Sequence, residues 1–359
     1  VSIDIICTIG PASSNPDTIQ QLIREGMTIA RINLSHGTHK SHQQTIQLVR
    51  ETAKKLGNRV AILADLQGRK IRLGEIVGGE VHLQAGKEFL LHTTPGVGNE
   101  QGASVDYEGI VEDVKPGSRI LINDGAVELV VKGCGRDFVD TRVVTSGTIG
   151  SNKGVNLPGT HVRLPALTEK DKDDLRFLML EKVDAIACSF VQEASDVDQI
   201  RQFAGVSPGH GPKFIAKIET TAALKNFTGI MQSADGIMVA RGDLGVEVPY
   251  TWIPLLQKAI VHECNRWGKY VITATQMLQS MVEHPIPTRA EVTDIFQAVL
   301  DGSKAVMLSA ESASGQFPVE SVQTMNAVSS FAELVRGEQP FNFEDVLALL
   351  AGKIPVLSR

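Results

Sequence analysis

A chain of 359 residues with 42% apolar residues is long enough for one large domain with a real core plus a smaller one. Its formal charge of −6, with no run of lysines or arginines, speaks against a nucleic-acid or anionic-membrane partner, while a few local cations can still receive a small anion. The four cysteines, Cys7, Cys134, Cys188 and Cys264, are scattered without any Cys-x-x-Cys pair, which argues against a disulfide framework or structural zinc and fits a reducing cytosol.

In chain order the sequence reads as short runs rich in Ile, Val and Ala, each ended by a polar or glycine-containing turn and usually followed by a helix-period stretch. The first run, 3–8, passes into Thr8-Ile9-Gly10-Pro11 rather than a signal-peptide core, so no secretory leader is expected. Asn15-Pro16-Asp17 then opens a helix through Ile19, Leu22 and Ile23 that stops at Gly26. Strands follow at 28–32 and 60–64. From Gln67 to Val162 the helix period gives way to Gly, Val and alternating segments, which predicts an inserted β domain; its clearest hairpin runs from 119–122 around Asn123-Asp124-Gly125 into 127–131. Thr168-Glu169-Lys170-Asp171 opens a capped helix through Leu175 and Leu178, and strands recur at 184–188, 213–216, 236–239, 270–274 and 305–308. A last helix runs through Phe331 and Val335. The tail 336–359, with Pro340, Pro355 and one short apolar stretch at 346–350, is too little for another domain. No apolar run is long enough to span a bilayer.

Alternating helices with eight strands apolar on both faces imply a parallel sheet, and eight units favour a closed (β/α)8 TIM barrel over an open doubly wound sheet. The expected division is a discontinuous barrel at 1–66 and 163–335, an all-β lid domain at 67–162 inserted between strand 3 and helix 3, and the tail. Because the insertion leaves from the C-terminal end of a barrel strand, it is placed to cover an active site, with a peripheral decoration as the alternative.

Polar residues just after barrel strands point into the site. These positions supply Thr8; Asn33, Ser35 and His36; Asp65; Ser189; Lys217 and Glu219; Asp243; Thr275; and Ser309 with Glu311. Glu219 and Asp243 follow adjacent strands and offer oxygens for one hard divalent cation, although an acidic residue at a strand end alone is more often a helix cap or a solvated group. Lys217 changes the balance. Lys-Ile-Glu on a strand sends both charged side chains to one side, and a cation beside a metal is what a transferring phosphoryl group needs. Arg31 precedes Asn33-Leu34-Ser35-His36-Gly37, a turn that would hold phosphate or a monovalent ion, or merely tie down the next helix. Cys7 and Cys188 read as small buried residues, and His36 is left without a role as a base. No Gly-x-x-x-x-Gly-Lys-Ser/Thr is present, which excludes a P-loop kinase.

In this order, Cys7-Thr-Ile-Gly-Pro-Ala-Ser13, Ala30-Arg-Ile-Asn-Leu-Ser-His-Gly37, Gly150-Ser-Asn-Lys-Gly-Val-Asn-Leu-Pro-Gly159, Ala216-Lys-Ile-Glu219, Gly236-Ile-Met-Val-Ala-Arg-Gly-Asp-Leu-Gly245, Ala274-Thr-Gln-Met-Leu278 and Pro287-Thr-Arg-Ala-Glu291 resemble segments of the pyruvate kinases. The resemblance runs from the first residues to about Val335. It implies phosphoryl transfer from phosphoenolpyruvate to ADP, giving pyruvate and ATP in glycolysis, in the cytoplasm. It also implies that Glu219 and Asp243 hold Mg2+ (or Mn2+), that Lys217 stabilises the phosphoryl group in flight, and that Arg31 grips the phosphate. Gly242 and Thr275 would hold the substrate carboxylate, with Thr275 near the proton-delivery path, and Ser189 would join the substrate site. Thr8, Pro11, His36, Arg72 and Lys153 would meet the nucleotide, the last two as the lid closes. Several cations would thus offset the repulsion between two polyanionic substrates.

Two departures from the family pattern carry expectations. Many members bind K+ through residues like Asn33, Ser35, Asp65 and Leu66, with a glutamate where this chain has Lys70. The Lys70 ammonium is therefore expected to take the monovalent-cation role, so that K+ is not required, unless it points to solvent. The chain also stops short of the family's C-terminal effector domain, from which no sugar-phosphate effector response and a homodimer are expected. The rival readings are a metal-dependent lyase or aldolase acting on a 2-oxo acid, against which Arg72 and Lys153 weigh, and an idle phosphoenolpyruvate sensor, against which the filled charged positions weigh.

Overall fold

The computed structural model describes residues 3–336 and Val346. The rest of the tail expected beyond Arg336, with its apolar stretch, lies outside the described residues. Three strands, β1 (Asp4–Thr8), β2 (Ile29–Asn33) and β3 (Ala61–Asp65), precede a second run: β4 (Ile71–Arg72), β5 (Glu80–Leu83), β6 (Glu88–His92), β7 (Gly102–Ser104), β8 (Arg119–Ile122), β9 (Val127–Cys134), β10 (Phe138–Thr145), β11 (Gly147–Gly150) and β12 (Gly154–Asn156). The chain then returns to β13 (Ala185–Cys188), β14 (Lys213–Ile218), β15 (Gly236–Ala240), β16 (Tyr270–Ala274) and β17 (Ala305–Leu308).

Eight of these close into a barrel in the order β1-β17-β16-β15-β14-β13-β3-β2, every pairing parallel. The expected strands are the observed ones to within a residue or two at their ends. Between β3 and β13 a seven-stranded sheet, ordered β4-β12-β8-β9-β10-β6-β7, and the pair β11-β5 enclose a core of their own around Phe89, Leu91, Ile120 and Leu129. In the β8–β9 turn Asn123 and Asp124 both take positive φ (57° and 54°), the hairpin geometry that Asn and Asp tolerate best after glycine. No helix among the described residues is long and apolar enough to cross a membrane.

The helices begin where their capping chemistry places them. Asn15 Oδ1 accepts the Thr18 N–H at 2.9 Å to start Pro16–Arg24, and Thr168 and Asp171 form a reciprocal capping box on Glu169–Glu181. Their apolar stripes pack on the outward faces of the barrel strands, with Ile19, Leu22, Leu175 and Leu178 joining Cys7, Ala30, Ala64 and Ala216 in the large core.

The inward faces form a smaller core of Ile6, Leu63, Ala187, Ile215, Met238, Ile272 and Met307. Strand side chains alternate with a period of two, so a residue two places beyond an inward apolar one also points inward, one layer nearer the C-terminal mouth. Leu63 leads to Asp65, Ala187 to Ser189, and Ile215 to Lys217 and then Glu219. That parity carries charge into the barrel without breaking its core.

Candidate active site

Arg31, Asp65, Ser189, Lys217 and Glu219 meet at this mouth. Arg31 Nε donates to Asp65 Oδ2 at 2.9 Å, with Nη2 2.7 Å from the same oxygen. Lys217 Nζ donates to Ser189 Oγ at 2.8 Å and lies 3.4 Å from Asp65 Oδ1 and 2.9 Å from Glu219 Oε1. Ser189 Oγ donates in turn to Asp65 Oδ1 at 3.2 Å. All five are buried or nearly so, which makes these short charge contacts strong and fixes the two cations in place.

The electrostatics follow from burial against partners. Burial alone would raise the Asp65 carboxyl, but Lys217, Arg31 and the Arg31 and Ser189 hydrogen bonds outweigh it and hold Asp65 below the usual carboxylate range. Burial also opposes the Lys217 charge, yet Asp65, Glu219 and Asp243 keep its pKa above the ordinary lysine value. For Glu219 burial wins: its carboxyl is pushed up to about 7, with Asp243 adding to the rise and Lys217 opposing it.

The binding cleft has a volume of about 550 Å³ and is lined from both sides. The barrel contributes Arg31, Asn33, Ser35, His36, Asp65, Leu66, Ser189, Lys217, Glu219 and Asp243, and the inserted domain faces them with Arg72, Asn123, Asp124, Asn152 and Lys153. Lys70 turns into the same cleft, its Nζ 3.8 Å from Asp243 Oδ1. Arg72 Nη1 donates to the Asn152 carbonyl at 3.1 Å, which ties the guanidinium to the turn that carries Lys153.

Four expected residues do not line this cleft. Thr8 is buried below it, where its Oγ1 accepts from Arg31 Nη1 at 2.9 Å and donates to the Leu308 carbonyl at 2.8 Å, so it holds Arg31. Pro11 is exposed in the turn after β1. Gly242 and Thr275 pair with each other, the Gly242 N–H donating to Thr275 Oγ1 at 2.7 Å. Of the other strand-end groups, Glu311 is consumed structurally, accepting the Leu278 N–H at 3.1 Å and the Ser309 N–H at 2.7 Å. Asn33 Oδ1 accepts the Ser35 N–H at 3.1 Å, so it also serves its own turn.

Residues unforeseen from sequence complete the picture. Asn123 and Asp124 carried a hairpin signal that fully accounted for them, and nothing local told that the hairpin tip would face the barrel. Phe190, a non-glycine residue at φ +55°, donates its N–H to Glu219 Oε2 at 2.6 Å.

That bond leaves Glu219 Oε1 buried and without a hydrogen-bond donor, since the Lys217 ammonium beside it is close but poorly aligned. A buried carboxylate oxygen without a hydrogen-bond donor, on a residue that lines a polar cleft, suits a cation. Among the described residues no group of three or more His, Cys, Asp or Glu forms a protein cage for a metal. Two carboxylates, Glu219 and Asp243, instead fit a cation such as Mg2+, which keeps water and substrate oxygens in most of its positions.

The family model for the pyruvate kinase barrel domain matches residues 2–322. Pyruvate kinase from Sporosarcina psychrophila is 46% identical over 331 residues, covering 92% of this chain and 56% of the relative. The Geobacillus stearothermophilus enzyme is 43% identical over 346 residues, covering 96% of this chain and 58% of the relative. This chain therefore spans little more than half the length of these curated relatives. The crystal structure of a pyruvate kinase from Cryptosporidium parvum superposes with a TM-score of 0.89 at 41% identity, covering 99% of this chain and 72% of that one. With most of its length matched by the family model and by these relatives, the chain belongs to the pyruvate kinase family.

Proposed function

We propose that this chain transfers a phosphoryl group from phosphoenolpyruvate to ADP, giving pyruvate and ATP, with a divalent cation at Glu219 and Asp243. The observation that carries it is a fixed cation pair, Arg31 and Lys217, facing Arg72 and Lys153 of the inserted domain across one cleft. Two polyanionic substrates repel each other, and a loose phosphoryl transition state offers little covalent work for the protein. Cations held in advance on opposite walls are what lowers such a barrier.

Each residue has a part that its position supports. Arg31, clamped by Asp65 and Thr8, would grip the phosphate of the donor. Lys217, held by Ser189 and Asp65, would meet the charge that spreads over the phosphoryl oxygens in transit. Glu219 and Asp243 would hold Mg2+ or Mn2+, which would supply positive charge beside the reacting phosphoryl group. Arg72 and Lys153 would receive the nucleotide phosphates, with His36, and Pro11 from the turn after β1, toward the rest of the nucleotide. The Gly242–Thr275 pair would hold the donor's carboxylate end, and Thr275 would stand on the route by which the enolate gains its proton. We take residues 67–162 as the lid that brings the two walls together.

Lys70 supports independence from K+: its ammonium already sits in the cleft that Asn33, Ser35, Asp65 and Leu66 line. Such an activity would belong to glycolysis and to the cytoplasm. The exposed apolar side chains of Tyr250, Trp252 and Leu255 support association with a second copy. A coupled assay for pyruvate from phosphoenolpyruvate, ADP and Mg2+, run with and without K+, tests the whole proposal. Turnover in both supports it, and folded protein with no turnover in either would end it.

A further inference from the structure

We propose that Arg69 is a positioning residue that couples the hinge of the inserted domain to Glu219, an inference that rests on the cation-site reading above. Arg69 lies on the connection leaving β3 and is buried, only 8% exposed. Its guanidinium joins three separate segments. Nη1 donates to the Leu164 carbonyl at 2.7 Å, on the connection that returns from the inserted domain. Nε donates to the Phe190 carbonyl at 3.1 Å, on the loop after β13. Nη2 makes an ionic contact with Asp196, poorly aligned for a hydrogen bond, and Asp196 Oδ2 in turn accepts the Gln192 and Glu193 N–H groups at 2.7 and 3.1 Å.

Phe190 is the link. Its backbone is left-handed, a conformation a side chain with a Cβ leaves readily unless it is held. It is held at both ends of the residue: its carbonyl accepts from Arg69 and its N–H donates to Glu219 Oε2. The Lys70 ammonium lies 5.9 Å from its ring centroid, so the residue after Arg69 bears on it as well. With Oε2 held by Phe190, Glu219 Oε1 is left without a hydrogen-bond donor, 2.9 Å from the Lys217 ammonium, on a residue that lines the cleft. Movement of the hinge connections would pull Arg69, shift the Phe190 peptide and reorient that carboxylate. The same arrangement makes Glu219 best prepared for a cation when the hinge is in the position seen here.

Arg69→Lys separates this role from simple packing. Lysine keeps a positive charge opposite Asp196 but lacks the planar fork that reaches two carbonyls at once. Hydrogen exchange of the segment 189–192 and Mn2+ affinity read by electron paramagnetic resonance without substrates should both change, exchange becoming about tenfold faster and affinity falling about tenfold. A variant that melts lower while exchange and Mn2+ affinity stay within about twofold of the parent would overturn the proposal, because a purely structural arginine does just that. The unaltered chain gives a second reading by reciprocity: Mn2+ should slow exchange in 67–72 and 162–166, and unchanged exchange there on Mn2+ binding would also overturn it. If Mn2+ fails to bind the unaltered chain, the cation site falls, and exchange at 189–192 in Arg69→Lys still decides whether Arg69 holds Phe190.

Discussion

Lys70 Nζ stands 3.8 Å from Asp243 Oδ1, so a cation from the connection between β3 and β4 reaches a carboxylate carried by the segment after β15. The Lys70 side chain is only about a quarter exposed. A solvent-pointing surface lysine would not pack this way, and the ammonium adds positive charge to a cleft that Arg31, Lys217, Arg72 and Lys153 also line. If it replaces a free monovalent ion, removing it must create a need for one. Lys70→Gln should lose activity by about tenfold or more in tetramethylammonium chloride and regain much of it in KCl at equal ionic strength, while the parent is indifferent to the exchange. Strong K+ dependence in the parent would refute the assignment.

Lys217→Met removes a charge held by Ser189, Asp65 and Glu219. On the proposed function that charge acts mainly in the transition state. kcat should fall by roughly 10²–10³-fold while phosphoenolpyruvate binding, measured directly, changes little. An unaltered kcat in a folded variant would remove Lys217 from the chemistry.

The Glu219 carboxyl, pushed up to about 7 from an ordinary value of 4.5, ties stability to pH in the metal-free chain. Between those two values the folded state keeps a proton that the unfolded state has released, so this group's contribution is complete below 4.5 and is lost as pH rises through about 7. Glu219→Gln cannot titrate. Its melting temperature, relative to the parent, should improve as pH rises across that window, and added Mn2+ should stabilise only the parent. A constant difference between the two at every pH would show that Glu219 is ionised throughout.

Gly57 and Gly68 share nearly the same backbone, at φ +68° and +69°, but not the same surroundings. A Cβ on Gly57 meets nothing within 4 Å, whereas one on Gly68 would lie 2.6 Å from the Ser189 carbonyl oxygen. Gly57→Ala should cost about 1–2 kcal/mol of backbone strain and leave turnover intact. Gly68→Ala should cost more and also lower turnover, since the displaced Ser189 is the group that holds Lys217 against Asp65. Equal effects on stability and activity from both changes would mean that the hinge does not bear on the site.

The sequence by itself determined the barrel and the position of its charges. Apolar runs of strand length separated by capped helices admit few arrangements, and a period of two places Asp65 beyond Leu63 and Lys217 and Glu219 beyond Ile215, all on the inward face. The gathering of Asp65, Lys217 and Glu219 at one mouth was legible for the same reason, since all three continue the inward face of their strands. Tertiary structure decided what depends on partners far apart in the chain. Thr8 became a support for Arg31, Glu311 a backbone acceptor, and the Asn123–Asp124 turn a wall of the cleft. Local pattern could not tell these outcomes apart, since a hydroxyl, a carboxylate or a tight turn satisfies its own backbone equally well whether or not a distant surface comes to face it. The same holds for Arg69: its three contacts come from segments about 95 to 127 residues away, and only the folded chain brings them to one guanidinium.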